Sequence, residues 1–424
     1  MTDTIFALSS GAPPAAIGLI RISGPQAGLA LSSLVGKLPS PRTAVAASLR
    51  HDGELLDRAL ILWLPGPGTA TGEDLAELHC HGGRAVIAAV LAVLGNLPGL
   101  RPAGPGEFTR RAFANGRIDL AEAEGLADLL SAETELQRRS ALALAEGELS
   151  REVATWRVRL LEFSAAVEAV LDFDDEDDVA MLGPEFRTGL TRLASEITHW
   201  LEQPRAEALR EGFKVAIAGP PNSGKSTLFN ALVGEDAAIA TPIPGTTRDV
   251  LMRPVAIAGV PFRFLDTAGL RVATDDPIEA IGIERARAVL ADADLVLWLG
   301  NEGEFPAAAW EIAAQSDRAD HPAKQRPRHA VSALTGAGID RLRNDLVATA
   351  RSALPSPGAV ALNERQARCL SAARDALSEA ALAEDPLLCA EYLRQARVSF
   401  DSLIGRTAME DMLDALFGRF CIGK

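Results

Sequence analysis

The chain has 424 residues, 48% of them hydrophobic and 23% charged, which is an ordinary globular balance and excludes disorder as its main description. At about 150 residues per domain this length predicts roughly three domains. With 42 Lys and Arg against 57 Asp and Glu the net charge is −15, which argues against a protein that coats nucleic acid unaided.

Residues 1–118 mix short apolar runs with Pro and Gly clusters. Ile17–Ile22, Ala59–Leu64 and Leu75–Leu78 read as strands and 85–94 as a helix, an α+β pattern. From Leu120 to Leu171 Gly and Pro nearly vanish and apolar residues recur at helical spacing. The stretches 185–211 and 357–420 behave likewise. Between them strands alternate with helices: Phe213–Ala218, Pro254–Ala258, Phe262–Leu265 and Asp294–Leu299 are strand-like, and 226–233 and 278–291 helical. The expected fold class is therefore multidomain: an α+β N-terminal domain (1–118), an all-α domain in two parts (119–212 and 351–424), and an α/β P-loop domain (213–350) inserted between them.

Cys80, Cys369, Cys389 and Cys421 form no C-x-x-C pair, and their scatter fits a reducing compartment. The N-terminus has no basic segment before an apolar core. The longest uncharged run, between Arg84 and Arg101, is too short to span a bilayer, so a soluble cytoplasmic protein is expected.

The strongest chemical signal is Gly219-Pro-Pro-Asn-Ser-Gly-Lys-Ser226, which fits G-x-x-x-x-G-K-[ST] and lies between a strand and a helix. Its backbone N–H groups, from Asn222, Ser223 and Gly224 into Thr227, would close on phosphates at a helix N-terminus. Lys225 would reach the β- and γ-phosphates, and the Ser226 hydroxyl would bind Mg²⁺. A Thr-rich loop follows, Thr241, Pro242, Ile243, Pro244, Gly245, Thr246 and Thr247, in which Thr247 suits Mg²⁺ beside a γ-phosphate. Asp266, Thr267, Ala268 and Gly269 end an apolar strand, placing a carboxylate near the metal. Ser332 and Ala333 stand where a guanine-binding loop belongs. Together these resemble translation-factor-like GTPases.

Two departures matter. Leu270 occupies the place of a water-orienting Gln, leaving Asp276, Glu279 and Glu284 as candidates. The guanine motif N-K-x-D is absent. The best register sets Ala314-Gln-Ser-Asp317 there, with Asp317 accepting the guanine N–H groups and Asp320 as an alternative. Gln315 reads as a poor substitute for the usual Lys stem.

The flanking motifs are distinctive: Ile17–Gly24, Thr71–Leu78 with His81–Gly83, Pro105–Phe113 with Asn115–Glu124, and the terminal Cys421-Ile-Gly-Lys424. In order, and with the inserted GTPase, they resemble the MnmE (TrmE) family of tRNA-modification GTPases. The resemblance implies a homodimer whose N-terminal domain binds a tetrahydrofolate derivative (5-formyl or methylene), and a K⁺-activated, Mg²⁺-dependent GTPase. With the flavoprotein MnmG it would modify C5 of the wobble uridine of certain tRNAs. It further implies Asn222, Thr241, Ile243 and Thr246 as K⁺ ligands, Glu279 as orienter of the attacking water, and Arg21, Glu77, Arg117 and Lys424 at the folate. Cys421 would be a catalytic thiol. For Arg21 and Glu77 an ordinary cross-strand ion pair is the alternative, and for Cys421 a buried small hydrophobe. His79-Cys80-His81 looks like a metal cluster, but on a strand the histidines face one side and the cysteine the other. The acidic run 172–178 reads as a solvated helix end. The competing functional class is a regulatory switch of the ribosome-assembly kind.

Overall fold

The computed structural model describes residues 3–172, 183–233, 252–266, 290, 292–304, 309–318, 324–407 and 410–424. The chain divides into two compact units, Met1–Ala127 with Val398–Lys424, and Asp128–Arg397. The expected last segment, 351–424, is thus divided between the two.

The first unit is built on β1 (Thr4–Leu8), β2 (Ile17–Ser23), α1 (Ala27–Val35), β3 (Val45–His51), β4 (Glu54–Leu64), β5 (Leu75–His81), α2 (Arg84–Gly95), β6 (Leu100–Pro102), α3 (Glu107–Ala114) and the start of α4 (Leu120–Ser131). The six strands order β3-β4-β5-β2-β1-β6, antiparallel except for β1 with β6. Alternation along the strands sorts the faces. Ile20 and Ile22 of β2 and Ala76, Leu78 and Cys80 of β5 are buried in one core with Leu31 and Leu34 of α1 and Val90 and Leu94 of α2. The intervening residues Arg21, Glu77 and His79 point the other way. There Ile5, Ala7, Ala103 and Phe108 form a smaller cluster under α3. Arg111 of α3 is fully buried and ion-paired to Asp3, Glu73 and Glu107 at 3.0–3.2 Å, the multiple partnering that a buried guanidinium requires.

The second unit opens with α5 (Glu135–Ala145), whose Thr134 and Gln137 form a capping box, and continues through α6 (Glu148–Asp172), α7 (Pro184–Leu201) and α8 (Ala206–Glu211). Trp156 and Trp200 meet edge to face, 6.0 Å apart, between α6 and α7. The α/β portion holds β7 (Phe213–Ala218), α9 (Lys225–Val233), β8 (Met252–Ile257), β9 (Val260–Asp266), β10 (Leu295–Trp298), β11 (Trp310–Ala313), β12 (His329–Ala330) and α10 (Ile339–Ala353). Its strand order is β12-β11-β10-β7-β9-β8, parallel but for the edge strand β8. The order reverses at β7, so the crevice beyond its C-terminal end is where a doubly wound sheet binds ligands. The helix expected at 278–291 lies outside the described residues apart from 290. Helix α11 (Glu364–Leu382), capped by Asn363 and Gln366, lies along α7.

From Val398, within α12 (Pro386–Leu403), the chain belongs to the first unit. There α13 (Glu410–Phe417) and Phe420 close a cluster with Leu120 and Ala123, and Phe113 packs against it. Among the described residues no helix is long and apolar enough to cross a membrane.

Candidate functional site

The phosphate loop begins where β7, buried along most of its length, ends at Ala218. The loop turns through two left-handed residues, Asn222 (φ 64°) and Gly224 (φ 92°), and Leu228 and Leu232 sink the far face of α9 into the core. A side chain at Gly224 is disfavoured by conformation, and its Cβ would lie 3.2 Å from Gln315 Nε2, so that this amide would have to shift. Lys225 Nζ donates to the carbonyl oxygens of Gly219 and Pro220, at 2.9 and 2.8 Å, which holds the ammonium over the loop. Ser226 and Thr227 are exposed on the first turn of α9, and the buried Ser223 Oγ has no hydrogen-bond partner among the described residues. Asp266 ends β9 and pairs in register with Ile217, so the backbone of the residue expected to face Mg²⁺ arrives beside the end of β7. This cradle of glycines, lysine and hydroxyl fits a Mg²⁺-nucleotide. Thr241, Pro242, Ile243, Pro244, Gly245, Thr246, Thr247, Thr267, Ala268, Gly269 and Glu279 lie outside the described residues.

The side expected to read the base is assembled from two loops. Ala313 ends β11, Ala314 is buried in the core, and Gln315 takes a left-handed turn (φ 55°). Ser316 N–H then donates to Val331 O at 3.1 Å, tying this turn to the loop after β12. Asp317 is exposed, and the hydroxyl of the fully buried Ser332 donates to it, the main reason its carboxyl sits below the ordinary carboxylate range. Ser332 Oγ in turn accepts from Thr335 N–H at 3.1 Å. The structure thus brings Asp317 and Ser332 together, with Ala333 half-buried next to them; Asp320 is outside the described residues.

Gln315 is the residue that sequence reasoning undervalued. Its Nε2 donates to the carbonyl oxygen of Asn222 at 3.2 Å, joining the base side to the phosphate loop. The signal available was its position alone, where a long donor-bearing side chain is usual.

A second polar site lies on the sheet of the first unit. Arg21 and Glu77 face each other in register on β2 and β5 and pair through Nη2–Oε1 at 2.9 Å and Nε–Oε1 at 3.1 Å. The ion-pair reading is therefore realised, without excluding a ligand above it. The Arg21 guanidinium lies 5.9 Å from the centre of the Phe108 ring. His79 Nε2 is shut from solvent and sits 3.5 Å from Glu77 Oε2, with no hydrogen-bond partner among the described residues. A cation, a carboxylate and an unsatisfied ring nitrogen side by side suit a ligand with both donor and acceptor edges, such as a pterin. Arg117 is exposed, its stem against Gly72.

The C-terminal tail reaches this site through α3. Phe108 N–H donates to Lys424 O at 3.2 Å, Gly106 N–H to Cys421 O at 3.4 Å, and Pro105 bridges Ile422. Phe108 therefore links Arg21 to the tail, a role not anticipated from its place in the Pro105–Phe113 motif. Cys421 is exposed, which overturns its reading as a buried hydrophobe. Burial pushes the Cys80 thiol up to about 12, and Cys80 faces the core, away from His79 and His81. His81 instead bonds Asp57 at 2.7 Å, and no cluster of three or more His, Cys, Asp or Glu side chains that could hold a metal ion occurs among the described residues.

Comparison with known proteins completes the assignment. Residues 4–117 match the family model described as the GTP-binding protein TrmE N-terminus, and residues 120–421 match the MnmE helical domain. A tRNA modification GTPase MnmE of Novosphingobium aromaticivorans is 63% identical with all of both chains covered. That of Erythrobacter litoralis is 62% identical, again with both chains covered completely. The Rhizorhabdus wittichii relative is 57% identical over all of this chain and 97% of its own. The chain belongs to the MnmE family of tRNA modification GTPases. It is a GTP hydrolase of tRNA modification, built from a TrmE-type N-terminal domain, an MnmE helical domain and a P-loop GTPase domain. The G domain of the T. maritima FeoB iron transporter also aligns, at 25% identity over 32% of this chain and 98% of its own, with a TM-score of 0.25.

Proposed function

We propose that this chain is a K⁺-activated GTPase acting as a homodimer in the cytoplasm. With the flavoprotein MnmG it adds an aminomethyl or carboxymethylaminomethyl group to C5 of the wobble uridine of certain tRNAs, using a one-carbon unit from a tetrahydrofolate derivative. The observation that carries this reading is full-length identity to MnmE relatives together with an intact phosphate loop.

Within it, Asn222, Ser223, Gly224, Lys225, Ser226 and Thr227 bind the phosphates, Ser226 and Thr247 hold Mg²⁺, and Asp266 with Thr267, Ala268 and Gly269 borders the γ-phosphate. Asp317, Ser332 and Ala333 read the base. Asn222, Thr241, Ile243 and Thr246, within the loop 241–247, hold K⁺. Bound there, K⁺ supplies positive charge where charge develops on the transferring phosphoryl group. Glu279 positions the attacking water. Arg21, Glu77, Arg117 and Lys424 hold the folate, and Cys421 is the thiol near it. The net charge of −15 is consistent with tRNA binding mainly through the complex with MnmG.

The test is hydrolysis of GTP, XTP and ATP by the purified chain, each in K⁺ and in Na⁺. GTP-selective turnover that rises sharply in K⁺ is expected; equal turnover of ATP and GTP, or indifference to K⁺, would refute it.

A further inference from the structure

We propose that Gln315 is a positioning residue that couples guanine selection to the K⁺ ligand Asn222. The inference deepens the reading just given and rests on it for the role of Asn222.

Asn222 sits at φ 64°, a region that Asn tolerates better than most residues but that still needs support from its surroundings. Part of that support is the hydrogen bond from Gln315 Nε2 to its carbonyl oxygen. The same Gln315 occupies a left-handed turn of its own two residues before Asp317, and Arg318 closes the turn: its N–H donates to Gln315 O at 3.0 Å and its Nη1 to Gln315 Oε1 at 3.4 Å. Both ends of the side-chain amide are therefore used, the nitrogen toward the phosphate loop and the oxygen toward the base loop. Gly224 allows the close approach, because a Cβ there would press on the amide.

The consequence is linkage. A direction change at Asn222 swings the side chain proposed to hold K⁺, and a shift of the Gln315 turn moves Asp317. One bond restrains both, so ordering of either loop lowers the cost of ordering the other. The usual Lys of N-K-x-D is replaced here by a neutral residue that keeps the donor and adds an acceptor.

The test uses the full chain and the variants Gln315→Ala, Gln315→Lys and Gln315→Glu. Fluorescent GDP binding is measured in Na⁺, and GTP hydrolysis across a K⁺ titration. Loss of one such bond predicts GDP binding weaker by about five- to tenfold in Gln315→Ala. The K⁺ midpoint and KM should rise by a similar factor, the effect falling on these rather than on kcat. Gln315→Lys, which keeps a donor, should recover most of the loss; Gln315→Glu, which sets an acceptor against the Asn222 carbonyl, should not. Unchanged GDP affinity in Gln315→Ala would overturn the tether. Weaker GDP binding with an unmoved K⁺ midpoint would overturn the coupling. Indifference of the unsubstituted protein to K⁺ would overturn the K⁺ reading of Asn222 and the coupling with it, while the GDP measurement still judges the tether separately.

Discussion

Replacing Gly423 by Ala should release the C-terminal tail without unfolding the unit that carries it. Gly423 has φ 95°, where an L side chain is strained by roughly 1–2 kcal/mol. Space is the larger obstacle. The new Cβ would lie 2.3 Å from Leu8 O and 2.9 Å from Ser9 Cα, both backbone atoms of a strand end that cannot rotate away. Relief requires the tail to retreat. What holds it is modest: the bonds from Phe108 N–H and Gly106 N–H, at 3.2 and 3.4 Å, together about 2 kcal/mol net at the usual value per bond. Strain and contact exceed that, so docking loses. Upstream, Phe417 and Phe420 remain in their cluster with Leu120 and Ala123, which keeps α13 in place. The assay is amide hydrogen exchange at Phe108, whose partner is the tail. Protection there should fall about tenfold or more while the amides of β2 and β5 keep theirs. Phe108 protection equal to that of the unsubstituted chain would refute the reasoning.

Arg21→Ala should weaken binding of 5-formyltetrahydrofolate by about tenfold or more and leave thermal unfolding nearly unchanged, because the Arg21–Glu77 pair is partly exposed and contributes little to stability. Equal binding would remove the pair from the site, and is read by equilibrium dialysis. In native protein treated with iodoacetamide, mass spectrometry should find Cys421 alkylated and Cys80 untouched, since Cys80 is buried with its thiol held near 12 and Cys421 is exposed. Ser332→Ala should raise the pH at which GDP binding fails on acidification. The Ser332 hydroxyl holds the Asp317 carboxyl below its ordinary value, so the carboxylate and the binding it supports persist as pH falls through the usual carboxylate range and disappear only at the lowered value. Without that donor the loss comes at higher pH; an unshifted acid limb in a pH titration of GDP affinity would contradict this.

What could be read from the sequence was what depends on neighbours in sequence. The phosphate loop is one continuous motif between a strand and a helix, and the strands Ile17–Ser23 and Phe213–Ala218 were marked by their own apolar runs. The base side was legible only as a register, because Ser316 is fixed by Val331 and Asp317 by Ser332, partners supplied by a different loop. The tail reads as a continuation of the helical block. Its place in the first unit is decided by Phe417 and Phe420 meeting Phe113 and Leu120, and by Gly423 fitting against Leu8, contacts that helical periodicity does not encode. Short edge strands such as Leu100–Pro102 and His329–Ala330 have too few residues for alternation to appear at all.

Ala314 stands where the expected register of N-K-x-D would set an asparagine. Ala314 is buried in the core that holds Trp310, Ile312 and Val331, where a small apolar side chain needs no hydrogen-bond partner. An asparagine there would have to spend its amide on the surrounding loops, and in this chain those loops are held otherwise. Ser332 grips Asp317, Gln315 grips Asn222, and Ser316 grips Val331. Several separate bonds thus hold these loops, of which those at Asp317 and Gln315 lie toward solvent. Bonds of that kind are weaker and more easily exchanged with water than a buried network. On the proposed reading each bond answers to a different part of the nucleotide site, the base for Ser332 and the phosphate loop for Gln315. A G domain held this way keeps its chemistry in the phosphate loop while its grip on the base depends on the order of the loops around it.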